Sequence, residues 1–227
     1  MQLYIGNKNY SSWSMRPWVL MKQAGIDFDE VMNRFDAFTP ESKFKARVAR
    51  VSPAGRVPVL VDEGFSVWDT LAIAEYLAER FPDKHLWPAD RLARARARSV
   101  SCEMHSGFGA LRSHFPMNIE ASLPEVGERV LREQPAVRDD LARITQIWTE
   151  LLAAHGGPLL FGRFGIADAF FAPVVMRVAT YALPLPGTLG DYVDTVKALP
   201  AVQAWVKDSL AEKDFVPFDE PYRKPNL

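Results

Sequence analysis

The chain changes texture once, at Phe81-Pro-Asp-Lys-His-Leu-Trp-Pro88, and this change constrains the fold more than any other feature of its 227 residues. Ahead of it the pattern turns over every few residues, as short strands alternating with helices do. Behind it no convincing strand can be found. Pro82 and Pro88 mark the stretch itself as a linker. The expected organisation is a first domain over 1–81, a linker over 82–89 and a second domain over 90–227.

In the first part, Gln2 to Ile5 is a short apolar run of strand length, and Pro17 to Ala24 supplies helix formers that stop at Gly25. Phe28 to Asn33 reads as a second strand. Phe44, Val48 and Val51 recur at helical spacing among Lys43, Lys45, Arg47 and Arg50. Val57 to Asp62 and Phe65 to Trp68 flank Asp62-Glu-Gly64, the pattern of a hairpin. Leu71, Ala74, Leu77, Ala78 and Phe81 mark a further helix. The order βαβαββα predicts a small mixed sheet with helices packed on it.

Beyond the linker, Arg91 to Phe115, Glu125 to His155, Ile166 to Leu183 and Val193 to Leu210 carry helical periodicity. Leu141, Ile144, Trp148, Leu151 and Leu152 form one stripe, read as bundle core. The tail from Asp214 holds three prolines and no period, so it is expected to be extended or frayed. The fold class is therefore α/β followed by all-α.

Composition removes several functions. A formal charge of −1 gives no footprint for nucleic acid or an anionic membrane. Arg91, Arg94, Arg96 and Arg98 alternate with Ala and Leu and read as the solvated face of a helix. The single cysteine, Cys102, allows no internal disulfide and no cysteine metal cluster. The start lacks a signal-peptide pattern, and runs such as Ala169 to Met176 are too short to span a bilayer. A soluble cytoplasmic protein is expected.

Three local features carry the candidate chemistry. Asn9-Tyr-Ser-Ser-Trp-Ser-Met-Arg16 lies between a strand and a helix. Pro17 belongs in the helix's first turn, which puts the N-cap near Trp13 or Ser14, with Ser14 the better cap. Ser11 and Ser12 then sit just ahead, where free amides favour an anion; alternatively the serines merely cap and turn the chain. Next, Arg56-Val-Pro58 opens a strand, where proline is awkward outside an edge or a special turn such as a cis Val57-Pro58 bond. Last, Trp68-Asp-Thr70 begins a helix. Asp69 either caps it or accepts a bond from a ligand ammonium, with Thr70 and the helix amides holding a carboxylate.

Strand, Ser loop, helix, then Ser52-Pro-Ala-Gly-Arg-Val-Pro58 and Asp69-Thr-Leu-Ala-Ile-Ala-Glu-Tyr-Leu77 together resemble the thioredoxin-like domain of glutathione transferases. The helical half is similar to that family's second domain. Ser11-Ser-Trp-Ser-Met-Arg16 resembles the SSCSxR loop of the zeta class. The resemblance implies Ser11 as the group that activates the glutathione thiol, with Ser12 beside it. It implies Pro58 as the family's cis-proline, Val57 as the backbone clamp on the cysteinyl part, and Asp69 and Thr70 at the γ-glutamyl end. Ser14, Arg16, Lys43 and Arg56 complete the implied glutathione site. For the second substrate it implies a pocket of Trp13, His105, Phe108, Arg112, Phe115 and Met117. There Arg112 either steadies a negative electrophile or pairs with Glu103 or Glu120. Glutathione enters as co-substrate, no metal is implied, and a homodimer is expected by analogy.

Two departures matter. Trp13 replaces the zeta cysteine, cannot be a nucleophile and argues against the zeta isomerase reaction. The helix-capping Ser/Thr-x-x-Asp box appears as Gly165-Ile-Ala-Asp168, read as structural. Rivals are a non-catalytic binding protein of the same fold, a glutathione-dependent isomerase, peroxidase or dehalogenase, and a cysteine-type reductase disfavoured by the distance of Cys102 from the loop. A Ser-His hydrolase built on His85, His105, His114 or His155 lacks a Gly-x-Ser-x-Gly elbow. His105 and His114 are about two and a half helical turns apart and face different ways, against a metal site.

Overall fold

A computed structural model describes residues 1–225. Seven elements build the first part: β1 (Gln2–Ile5), α1 (Ser12–Ala24), β2 (Asp29–Met32), α2 (Lys43–Val48), β3 (Val59–Asp62), β4 (Phe65–Trp68) and α3 (Thr70–Arg80). The order is the expected βαβαββα. The sheet runs β2-β1-β3-β4, with β1 parallel to β2 and antiparallel to β3, and β3 antiparallel to β4. Glu63 and Gly64, both at positive φ, close the β3–β4 hairpin.

Beyond a 3₁₀ turn at Pro82–Lys84, every regular element among the described residues is helical. They are α4 (Arg91–Ser106), α5 (Gly109–His114), α6 (Pro124–Glu133), α7 (Pro135–His155), α8 (Ile166–Tyr181), α9 (Leu189–Ala198) and α10 (Pro200–Glu212). Three of the expected helices are each two. Phe108 turns left-handed at φ 55° between α4 and α5. Pro135 and Pro200, which cannot donate a backbone bond, restart the chain as α7 and α10. No helix among the described residues is long and apolar enough to cross a membrane.

Helix α8 is the centre of the molecule. Fifteen of its residues are buried, and apolar side chains surround it on all sides, as in a helix with no solvent face. It packs against α1 and α4, so the Ser loop is seated on the core. Phe170, Phe171 and Trp148 are fully buried there, each worth roughly 1.5–3 kcal/mol of apolar transfer.

The tail, expected to be extended or frayed, is tied to the Ser loop as far as it is described. After α10 it returns across the Ser loop through a 3₁₀ turn at Pro217–Asp219. Tyr10 donates to Glu220 at 2.7 Å, Asn118 donates to the same carboxylate at 2.8 Å, and Arg223 pairs with it. Asn7 reaches Asp214 at 2.6 Å, and Lys8 bridges Glu30 and Asp208 at 2.7 and 2.6 Å. Residues distant in the chain thereby fix the loop from behind.

Candidate functional site

Helix α1 starts earlier than its sequence suggests. Asn7 O accepts the Tyr10 and Ser11 amides, and this turn delivers Ser11, not Ser14, as N-cap. Ser11 Oγ accepts the Ser14 amide at 3.4 Å, and Ser11 O takes that of Met15 at 3.1 Å. Pro17 falls inside the helix, where it removes one bond to the Trp13 carbonyl. Ser14 is buried behind Ser11: its Oγ accepts the Gly6 amide at 3.1 Å and lies 2.8 Å from Ser11 Oγ. Ser14, fully buried, is not among the residues lining the cavity that holds Ser11. The Trp13 amide is the one first-turn donor with no protein acceptor among the described residues.

Ser11, Ser12 and Trp13 line a cavity of about 590 Å³. Arg56 and Val57 face them from the segment ahead of β3, and the Val57-Pro58 bond is cis as expected. Neither Val57 N–H nor C=O has a hydrogen bond among the described residues. An extended peptide can therefore pair with both. Lys45 lines the cavity and donates to Gly55 O at 2.7 Å. Lys43 does not: two positions along a helix turn by about 200°, which leaves it exposed on the opposite side of α2.

The residues expected at the electrophile pocket are divided between this cavity and its surroundings. Trp13, Arg112 and Met117 line the cavity; Phe108, Phe115 and His105 do not. Phe108 is the left-handed N-cap of α5 and Phe115 its C-cap, so Arg112 alone of the three lies within the helix. Phe115 instead stacks on Tyr181 in the core, ring centres 4.6 Å apart. His105 turns toward Asp69 and Thr70, with Nε2 3.2 Å from Asp69 Oδ2 and Nδ1 3.3 Å from Thr70 Oγ1.

Asp69 caps α3, its Oδ1 accepting the Leu71 amide at 2.8 Å from a backbone at φ 78°. A non-glycine residue held there costs about 1–3 kcal/mol, a strain found mostly at functional positions. Asp69 borders a shallow concavity of β4 and α3, with Phe65 and Trp68 exposed along it.

Positive charge dominates the cavity. Lys45, Arg56, Arg112 and Arg177 line it against one carboxylate, Asp219. Arg177 is buried on α8 and bonds the Phe115 and Pro173 carbonyls at 2.7 and 3.1 Å. Burial, with Arg112 nearby, lowers its guanidinium to about 10. Arg16 lies beneath Trp13, 4.3 Å from the ring centre, and its buried Nε and Nη1 have no hydrogen-bond partner among the described residues. Burial, then Arg177 and Arg112, lower it to about 9. Arg112 lies 5.4 Å from the same ring. Its proposed carboxylate partners are both engaged: Glu103 with Arg143 at 2.7 Å and Glu120 with Arg223 at 3.4 Å. Burial also pushes Asp219 up to about 6, with Glu220 adding to the shift.

Residues 10–80 match the glutathione S-transferase N-terminal domain family and residues 103–208 the glutathione S-transferase C-terminal domain family. A maleylacetoacetate isomerase of Pseudomonas aeruginosa is 36% identical over 187 residues, 82% of this chain and 84% of the relative. A probable maleylacetoacetate isomerase of Caenorhabditis elegans is 33% identical over 111 residues, a match spanning 49% of either protein. Among solved structures, a glutathione transferase homolog from Burkholderia with bound glutathione superposes with a TM-score of 0.68 at 27% identity, covering 93% of this chain and 98% of the other.

Proposed function

The chain belongs to the glutathione S-transferase family, and we propose that it uses the Ser11 hydroxyl to hold the glutathione thiol as thiolate for attack on a small acidic electrophile. One observation carries this: Ser11, capping α1, shares a single cationic cavity with the unpaired Val57 backbone. Val57 receives the cysteinyl peptide, Lys45 and Arg56 the glycyl carboxylate, and Asp69 with Thr70 the γ-glutamyl end.

A free thiol of this kind titrates near about 8.5. Lowering it by about two units takes roughly 2.7 kcal/mol. A hydroxyl donating to an anion supplies about 1.5–3 kcal/mol, and the helix end with the free Trp13 amide adds about 0.3–1 kcal/mol. These together suffice. In the structure the Ser11 hydroxyl donates to Ser14 Oγ. With thiolate bound the pair reverses: Ser14 donates to Ser11 Oγ, and Ser11 donates to sulfur. Calorimetric titration with glutathione tests the premise. One site per chain is expected, and no binding overturns the proposal.

Arg112 and Arg177 form no salt bridge among the described residues and share the cavity with one carboxylate, Asp219, which favours an electrophile bearing a carboxylate. Arg112→Ala is expected to lower the ratio of kcat/KM for acidic over neutral electrophiles about tenfold or more, since a charged hydrogen bond contributes about 1.5–3 kcal/mol. An unchanged ratio removes Arg112 from substrate selection. Conjugation and isomerisation both begin with thiolate addition to such a substrate. Product analysis separates them: conjugation consumes glutathione, isomerisation returns it.

A homodimer completes the proposal, formed through the β4–α3 face where Phe65 is 67% and Trp68 43% exposed. Phe65→Glu is expected to halve the mass seen by light scattering. An unchanged mass places the contact elsewhere or shows a monomer.

A further inference from the structure

Resting on the assignment of Asp69 and Thr70 to the γ-glutamyl end, we propose that His105, supplied by the helical domain, is a positioning residue of that subsite. Its protonation opposes glutathione binding.

The tautomer follows from the partners. A carboxylate only accepts, so the ring nitrogen 3.2 Å from Asp69 Oδ2 is Nε2–H. In the neutral ring Nδ1 is then an acceptor, and the Thr70 hydroxyl, 3.3 Å away, donates to it. With its proton engaged, Thr70 Oγ1 offers lone pairs alone. Asp69 Oδ1 is committed to the α3 amides, while Oδ2 keeps capacity beyond the imidazole. The neutral triad therefore presents acceptors, which suit the γ-glutamyl ammonium. The carboxylate of the same residue is left to the Thr70 amide, the one donor at the α3 start with no acceptor among the described residues.

Protonation reverses the Thr70 contact and turns the Asp69 contact into an ion pair. Nδ1 becomes a donor, so Thr70 must turn its lone pair to the ring. Asp69 then faces an imidazolium that competes with the ligand ammonium. The groups facing the ring explain why it stays neutral near pH 7. Asp69 from the start of α3 favours the charged form. Burial opposes it, and so do Arg16 from α1 and Arg112 from α5; the net result lies below the ordinary imidazole value. Two rings also face it: Trp13 of α1, 5.2 Å between ring centres, and Phe170 of α8, 6.5 Å away. Glutathione binding and loss of the His105 proton are thus coupled, and each promotes the other.

The sign is fixed. With a depressed imidazole pKa, binding is full above it and weakens as pH falls through it, at most about tenfold per unit. Glutathione's own carboxyl and amino groups titrate outside about pH 5–7. Calorimetric glutathione titrations of wild type, His105→Gln and Asp69→Asn at pH 7.5, 6.5 and 5.5 form the test, with proton NMR of the His105 ring in wild type. Wild-type Kd is expected to rise about three- to tenfold between the highest and lowest pH, with a much flatter profile for His105→Gln. Any part due to Asp219 appears equally in both proteins, so their difference isolates His105. The His105 pKa is expected to fall when glutathione is added to wild type, a readout that survives if the Gln variant does not fold. Asp69→Asn is expected to weaken binding about tenfold at pH 7.5. If it binds as wild type does, the γ-glutamyl assignment itself fails. If it weakens binding while wild type and His105→Gln share one pH profile, or the His105 pKa ignores glutathione, only the role of His105 fails.

Discussion

Ser11→Ala is expected to raise the pKa of bound glutathione from about 6.5 to about 7.5–8.5, the helix end and Trp13 amide keeping part of the depression, and to lower turnover about 5- to 50-fold near pH 6.5. The substitution removes the hydroxyl that faces sulfur but leaves Val57, Asp69 and Thr70 in place, so glutathione affinity falls far less than rate. The gap in rate is expected to narrow to a few-fold above about pH 9, where the thiol ionises unaided. Helix α1 loses a cap, at a cost of about 1 kcal/mol, though Ser14 still accepts the Gly6 amide and holds the loop to β1. Ultraviolet thiolate absorbance of the complex, scanned over pH, reads the pKa directly. An unshifted pKa in Ser11→Ala transfers the role to Ser12, which lines the same cavity. Ser14→Ala gives a second readout. Without Ser14 as donor, Ser11 loses the bond that aims its own proton outward, so the pKa is expected to settle between the other two.

The features legible from the sequence are those whose physics is local. Strand-length apolar runs, Gly25 after a helix and a hairpin at Asp62-Glu-Gly64 each draw their structure from a few neighbours, and the βαβαββα order follows. Pro58 and Asp69 could be placed because proline ahead of a strand and aspartate ahead of a helix each have few local uses. The misses involve partners far along the chain or a rotation of one or two residues. Lys43 and Lys45 are indistinguishable by composition, and only the start of α2 decides which of them faces the cavity. His105 sits on a helix with nothing nearby in sequence to reveal Asp69. Tyr10 and the tail meet through Glu220, 210 residues away. Arg177 did leave a signal: a lone cation in the apolar run Phe170-Phe-Ala-Pro-Val-Val-Met-Arg177 must find a partner or a ligand when that helix is buried.

Asp168→Ala is the substitution expected to cost the most stability. The carboxylate is 1% exposed at the start of α8, the helix on which both parts of the molecule rest. It accepts the Leu160 and Gly165 amides, both at 3.1 Å, and the Tyr192 hydroxyl at 3.3 Å. Alanine abandons these buried donors, each worth about 1–3 kcal/mol when left unpaired, for a total of about 3–5 kcal/mol. In a chain of this size that corresponds to a fall in Tm of roughly 10–15 °C, a large part of an ordinary folding free energy. Asp168→Asn keeps one acceptor oxygen and is expected to lose about half as much. Burial pushes the Asp168 carboxyl up to about 7, well above its unfolded value. The folded state therefore binds the extra proton, and this group's contribution to stability grows as pH falls from about 7 toward 4. Asn does not titrate, so the Tm gap between wild type and Asp168→Asn is expected to widen between pH 7.5 and 5.5. Calorimetric melts at the two pH values check both statements. An alanine variant melting within about 3 °C of wild type would show that water replaces the lost acceptor and that the start of α8 tolerates its entry.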